Sequence, residues 1–337
     1  MEEAYKTMGA EVTIVFCVSG NFSAYSSSLF LLLSGENGKR GKMRFEEFKD
    51  KIVELLQDRL GECHKITVTK VLKNNDVRLT GIVIMREEDN ISPTIYLEGP
   101  YRRYQAGVPV QKIAEEIIAL YEEHACTVNL DMDFFRDFGK EEDRIFYKLI
   151  NYEKNKTLLA DVPWFRWHDL AVTFYYVIEA EAFGRASIMI HNNHLDMWGQ
   201  SAEEIYRTAH RNMAGRMPEL LVPIQKMLEE MIGRKLGEEE QTLYVLTNRD
   251  KLFGAAAMLY SEKIRQLADR LQTDLLILPS SIHEVLLIPE DRSREYLFYS
   301  RMVKEVNNTQ VDPEEILSFN LYRYDRERAE IEVICSD

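Results

Sequence analysis

Apolar positions along this chain recur at two periods. Phe45, Phe48, Ile52, Leu55 and Leu56 fall on one helical face, which predicts an amphipathic helix over residues 44–60. The period then shortens to two. Residues 66–72 and 77–86 alternate and read as strands, joined by the turn-forming Asn74-Asn75-Asp76. In the second strand Val77, Leu79, Val83 and Met85 are expected on one face, with Arg78, Thr80 and Arg86 on the other. A third strand over residues 94–98 is entered by Pro93. Pro109 suits the first turn of another helix, whose buried stripe is Ile113, Ile117, Leu120 and Tyr121. The order is thus α-β-β-β-α.

Residues 133–160 carry Ile145, Phe146, Leu149 and Ile150 at helical spacing, and Pro163 ends that stretch, so a helix is expected there. Residues 170–178 and 187–190 read as buried strands. Ser201 and Glu204 form a capping box for a following helix, and residues 218–231 read as a second one. A Gly- and Glu-rich loop follows at 233–241. Strands are expected at 243–247, 253–259, 275–278 and 285–288. A helix capped by Ser261 is expected to carry Ile264, Leu267, Ala268 and Leu271 on one face, and another lies near 294–307. Pro313 opens a short helical turn, and residues 321–324 and 330–334 read as a terminal hairpin. Strands neighbour strands with helices interspersed. That favours an α+β fold with mixed or mainly antiparallel sheets and packed helices, in two modules. The expected boundaries are an N-terminal module at 43–125, a helix-and-strand middle region at 126–232, and a C-terminal sheet-and-helix module at 242–337.

The stretch before Met43 does not fit this pattern. Its apolar runs, Val12–Val18 and Leu29–Leu33, are interrupted by Gly20, Asn21, Ser23 and the serines 26–28, unlike a spanning helix. Glu2, Glu3 and Glu11 outweigh Lys6, the wrong flank for a signal peptide. Gly38-Lys39-Arg40-Gly41-Lys42 is what a purine-rich ribosome-binding stretch yields when translated. Met43 is therefore expected to be the natural start, with residues 1–42 outside the fold; a poorly built signal or anchor segment is the rival reading.

Charge narrows the function. The 337 residues carry a net charge of −14, which argues against nucleic acid and anionic membrane surfaces as partners. The four cysteines, Cys17, Cys63, Cys126 and Cys335, are too far apart for a local zinc or redox motif and suit free thiols in a reducing cytoplasm.

Candidate chemistry is sparse. Neither a phosphate-binding glycine loop nor a nucleophile elbow occurs. His191 and His194, with Asp196 or with His168 and Asp169, have metal-ligand chemistry, yet H-E-x-x-H spacing is missing and turn histidines are the plainer reading. Asp131, Asp133 and Asp137 resemble an oxygen-ligand loop, but Arg136 stands where a calcium loop needs glycine. Ser280-Ser281-Ile282-His283-Glu284 brings hydroxyl, imidazole and carboxylate together, although Pro-Ser-Ser is also ordinary turn chemistry. Tyr101-Arg102-Arg103-Tyr104 and the cluster Arg323, Arg326 and Arg328 could stack on and pair with nucleic acid, but packed tyrosines and solvated arginines are favoured. Trp164, Trp167 and Trp198 are expected in or near the core. No catalytic residue, metal ligand or cofactor is assigned.

Six segments carry a resemblance. They are Arg78-Leu-Thr-Gly-Ile-Val-Ile, Pro93-Thr-Ile-Tyr-Leu-Glu98, Lys148-Leu-Ile-Asn-Tyr-Glu-Lys-Asn155, Tyr244-Val-Leu-Thr-Asn-Arg249, Leu252-Phe-Gly-Ala-Ala256 and Leu278-Pro-Ser-Ser-Ile-His-Glu-Val285. Together, over about residues 43–330, they resemble a family found mainly in Firmicutes, domain of unknown function 5688. The resemblance implies a bacterial protein; it assigns no activity, cofactor or catalytic residue to carry over. Its polar residues Asn151, Glu153, Asn155, Asn248, Ser280, Ser281, His283 and Glu284 are the first places to look for a site. The expected function is a non-enzymatic binding or regulatory protein of the cytoplasm with a protein partner. The alternative is a hydrolase or metal-dependent enzyme using His168, Asp169, His191, His194 and Asp196 or the Ser280–Glu284 turn.

Overall fold

The structure is a computed structural model that describes residues 42–86, 92, 94–124, 138–180, 184–235, 243–279, 281–291, 293 and 295–334. The chain divides into two compact units. One takes in the described residues up to Val71 and those within Arg78–Met132 and Val177–Ile188. The other takes in Leu72–Val77 and the described residues within Asp133–Tyr176 and from Met189 onward. The class is α+β, with three antiparallel sheets among the described residues.

The first unit opens with α1 (Phe45–Leu60), followed by β1 (His64–Leu72), β2 (Arg78–Arg86) and β3 (Thr94–Tyr96), then α2 (Glu98–Gln105) and α3 (Val110–His124). Glu47 caps α1 by accepting the Arg44 amide at 2.9 Å, and Glu46 and Glu47 complement the positive end of the helix dipole. Phe48, Ile52 and Leu56, four residues apart, form its buried stripe. They pack with Ile82, Ile84, Ile95 and Leu97 from the β1-β2-β3 sheet side and with Ile113, Ile117 and Tyr121 of α3. Each such side chain contributes about 1.5–3 kcal/mol on burial. The face expected for β2 is reversed. Thr80, Ile82 and Ile84 are buried, whereas Val83 and Met85 are half-buried. A strand apolar on both sides offers no alternation by which to choose its core face.

Next along the chain is a four-stranded sheet of β4 (Ile145–Asn151), β5 (Trp164–Trp167), β6 (Leu170–Ala180) and β7 (Gly184–Met189), in the order β4-β6-β5 with β7 on β6. The helix expected over residues 133–160 is thus, from Ile145, a strand. All seven residues of β4 are buried, and a strand buried on both faces reads as a continuous apolar run that also satisfies helical spacing. Helices α4 (Asn192–Trp198) and α5 (Ala202–Arg216) follow. Ser201 accepts the Glu204 amide to cap α5, as the capping box requires. Tyr147 of β4 stacks against Tyr206 and His210 of α5, with centroids 5.9 and 6.2 Å away.

The C-terminal region forms a six-stranded sheet in the order β13-β12-β10-β11-β9-β8. Its elements are β8 (Glu219–Pro223), α6 (Ile224–Ile232), β9 (Tyr244–Asn248), α7 (Glu262–Leu271), β10 (Leu275–Leu278), β11 (Val285–Pro289), α8 (Tyr296–Thr309), β12 (Leu321–Asp325) and β13 (Glu330–Ile334). Two further expectations fail here. Residues 219–223 leave the expected helix to pair with β9, which uses their apolar run on a sheet. Gly254–Leu259 is a 3-10 helix rather than a strand, because three consecutive alanines fit a tight buried turn of helix. The β10–β11 and β12–β13 hairpins form with the expected partners. Among the described residues no helix is long and apolar enough to cross a membrane.

Candidate functional site

Lys148 lies within the mostly apolar run of β4, opposite Thr173 of β6 in the strand register. Both are buried, and the Thr173 hydroxyl has no hydrogen-bond partner among the described residues. The Lys148 ammonium lies 4.5 Å from the centre of the Phe253 ring, a cation–π arrangement that offsets part of its desolvation.

Phe253 is held there by its turn. Asn248, at the end of β9, accepts the Leu252 amide at 3.2 Å and donates to the Leu252 carbonyl at 2.7 Å. Lys251 and Phe253 adopt left-handed backbone angles, φ 54° and 52°, which cost of order 1–3 kcal/mol each in a non-glycine residue. Gly254 follows because nothing larger fits. A Cβ there would lie 2.5 Å from the His283 carbonyl oxygen and 2.7 Å from the Asn248 nitrogen, and closer still to the Thr247 hydroxyl. The Phe253 ring then stacks on the His283 imidazole at 5.4 Å and meets Tyr175 edge-on at 4.9 Å.

His283 is fixed from several sides. Its Nδ1 accepts the Phe253 amide at 3.2 Å, its own amide donates to the Ser281 hydroxyl at 3.0 Å, and its carbonyl accepts from the Thr247 hydroxyl at 2.8 Å. Burial first, and then the charge of Lys148, push its pKa down to about 4. The ring is therefore neutral at pH 7. With Nδ1 accepting, the proton is assigned to Nε2. That atom lies 3.7 Å from Glu315 Oε1, beyond hydrogen-bond range. Burial raises the Glu284 carboxyl, and burial together with Asp312, Glu314 and Glu284 raises that of Glu315.

These contacts bear on the hydrolase alternative. Ser281 touches the backbone of His283, not its ring, and the ring nitrogen that could accept a proton already accepts the Phe253 amide. Ser280 lies outside the described residues. A nucleophile needs its base within hydrogen-bond reach, and Ser281 and His283 do not make that contact.

The other candidate histidines are engaged elsewhere. His168, at φ 53° in the β5–β6 turn, packs edge-on against Trp167 at 4.6 Å. Asp169 beside it accepts three hydrogen bonds, from Ser318 at 2.6 Å, Asn320 at 2.9 Å and Tyr322 at 2.6 Å. Burial and this carboxylate push the Tyr322 phenol well up. His191 pairs with Asp161 at 2.8 Å, and its amide donates to His194 Nδ1 at 3.1 Å, so the two imidazoles organise the start of α4. Burial and then His191 lower His194 to about 4. Among the described residues no group of three or more histidine, cysteine, aspartate or glutamate side chains is placed to hold a metal ion. Asp131, Asp133 and Asp137 lie outside the described residues, as do Cys17, Cys126 and Cys335; Cys63 is a free, exposed thiol.

The remaining singled-out residues serve local structure. Asn151 accepts the Lys154 amide, and Asn155 bonds both the side chain and the amide of Asn75. Glu153 pairs with Lys156 at 2.8 Å. Tyr101 and Tyr104 pack on Phe48, each 5.3 Å away, and Arg103 pairs with Glu116. Arg323 binds Asp274, Glu290, Asp325 and Glu332, while Arg326 pairs with Asp269 and Arg328 with Asp325 and Glu332. The three tryptophans are half-buried.

Sequence reasoning missed Lys148 and Phe253 as partners of His283. The available signal was a lone lysine inside the run Ile145-Phe-Tyr-Lys-Leu-Ile150. Four of the six segments that carry the resemblance meet at this cluster, through Lys148, Asn248, Phe253 with Gly254, and Ser281 with His283.

A search of the curated proteins finds no match to this chain, and a search of the solved structures finds none either. A family model does match, that of the Family of unknown function (DUF5688), over residues 45–326. That span covers most of the chain, which therefore belongs to this family.

Proposed function

We propose that this chain is a non-enzymatic binding or regulatory protein of the bacterial cytoplasm that acts on a protein partner. The observation that carries the reading is the Phe253 amide on His283 Nδ1. It leaves the imidazole at this cluster as an Nε2–H donor with no basic nitrogen to activate a nucleophile. Four of the five arginines in the two basic motifs, all but Arg102, support a protein partner over nucleic acid. Arg103, Arg323, Arg326 and Arg328 are each paired with carboxylates, and the net charge is −14.

The test is a thermal melt of the full chain against divalent metals, nucleotides and a chelator, run beside a panel of ester, phosphoester and peptide substrates. The expected result is a flat panel and no turnover. A ligand at about 100 times its dissociation constant adds about 2.7 kcal/mol, a shift of several degrees, and such a shift with a metal or nucleotide would overturn the reading. Cell fractionation tests the compartment.

A further inference from the structure

We infer that the open edge of β1 is a docking site for an extended acidic segment of a partner protein, which adds to the three-stranded sheet as a further strand. The inference rests on the binding-protein reading above and names the partner's chemistry.

The sheet order β1-β2-β3 leaves β1 with no strand on its outer side among the described residues. β1 is nine residues long, whereas β3, at the other edge, has three. Lys65, Thr67, Val68 and Lys70 are exposed, with 39% of Val68 accessible. A long edge with exposed β-branched residues presents a row of backbone donors and acceptors that another extended chain can pair with.

Charge selects the occupant. Between Cys63 and Asn75 there are three lysines, Lys65, Lys70 and Lys73, and no acidic residue, in a chain whose net charge is −14. Lysines on an edge also act against self-pairing. Two copies of β1 meeting antiparallel about Thr67 and Val68 would set Lys65 opposite Lys70, and like charges directly opposite are destabilising. The charges that disfavour a second copy favour an acidic strand.

The spacing makes the preference specific. Lys70 lies on the core-side face, where its ammonium donates to the Thr80 hydroxyl at 2.7 Å. Lys65, an odd number of residues away, lies on the opposite face. An added strand therefore meets both lysines with acidic residues five positions apart, one on each face.

The probe is a labelled, end-capped peptide, Thr-Glu-Val-Thr-Val-Thr-Glu-Val, with a control in which lysine replaces both glutamates. Binding to the full chain is followed by fluorescence anisotropy at low salt. The expected result is at least about tenfold tighter binding of the glutamate peptide, from two oppositely charged cross-strand pairs. The variant K65E/K70E should reverse that preference, which also shows that the variant is folded. Amide exchange should slow in β1. Binding of neither peptide, equal binding of both, an unchanged preference in K65E/K70E, or protection of another element overturns the inference. So does concentration-dependent self-association that protects β1, which would assign the edge to a second copy. A failed peptide panel removes this inference alone, whereas substrate turnover removes the functional reading beneath it.

Discussion

Gly254→Ala tests the packing of the cluster at its tightest point. The added methyl meets two backbone atoms, the His283 carbonyl oxygen and the Asn248 nitrogen, well inside van der Waals distance, and the Thr247 hydroxyl as well. The hydroxyl can rotate only by releasing the His283 carbonyl. The two backbone atoms belong to segments anchored by β9 and by Ser281 and cannot retreat independently. Overpacking a close-packed interior costs about 1–3 kcal/mol, and a lost hydrogen bond about 1 kcal/mol more. The expected loss is therefore about 2–4 kcal/mol, a large share of the roughly 5–15 kcal/mol that holds a domain folded. Gly99→Ala is the matched control, because nothing lies within 4 Å of a Cβ there. Urea denaturation followed by tryptophan fluorescence reads both. The midpoint should fall steeply for Gly254→Ala at unchanged slope and stay near wild type for Gly99→Ala. Equal midpoints for the two variants would refute the close approach of β9, the 248–254 turn and His283.

The pH dependence follows from two histidines, His194, which is buried, and His283, which is half-buried. His283 and His194, both pushed down to about 4 from an ordinary 6.5, bind protons less readily in the folded than in the unfolded chain, so stability should fall as pH drops from 6.5 toward 4. The limit is about 3 kcal/mol for each ring. Glu284 and Glu315, raised in the folded chain, act in the opposite sense from their raised values down to 4.5, so His194→Gln/His283→Gln should remove the loss that sets in as pH falls below 6.5, read by melting temperature. Asp169→Asn leaves Ser318, Asn320 and Tyr322 competing for a single acceptor and should cost about 2–3 kcal/mol in urea melts; a change under about 0.5 kcal/mol would show that the network is not formed. Lys148→Met removes the charge that helps depress His283, so the His283 titration should move up toward 6.5 while staying below it, and an unmoved titration would separate the two residues.

Much of the fold was legible where one face of an element is solvated. α1 shows a clean stripe of Phe48, Ile52 and Leu56, and the Ser201–Glu204 capping box marks the start of α5. Legibility failed where both faces are buried. β4 has no alternation to read, and β2, which is apolar on both faces but only half-buried on one, gave the wrong core face. The alanines of 255–257 carry no pattern that separates a buried 3-10 turn from a strand.

The site was legible in location more than in chemistry. Asn248, Ser281 and His283 stand in the polar positions singled out, but their roles depend on directions that spacing does not encode. Ser281 and His283 are two positions apart, and turn geometry alone decides whether the hydroxyl meets the ring or the amide. The same holds for His191 and His194, whose metal-like spacing serves a helix start because Asp161 and a backbone amide take their Nδ1 atoms.

The central claim is that the His283 imidazole is a half-buried Nε2–H donor and not a base. Nitrogen NMR of the full chain labelled at histidine reads this directly. The expected spectrum at pH 7 shows His283 protonated at Nε2, with Nδ1 hydrogen-bonded and no titration until about pH 4. A ring protonated at Nδ1, or one titrating near 6.5, would leave a basic nitrogen free at this cluster and contradict the claim.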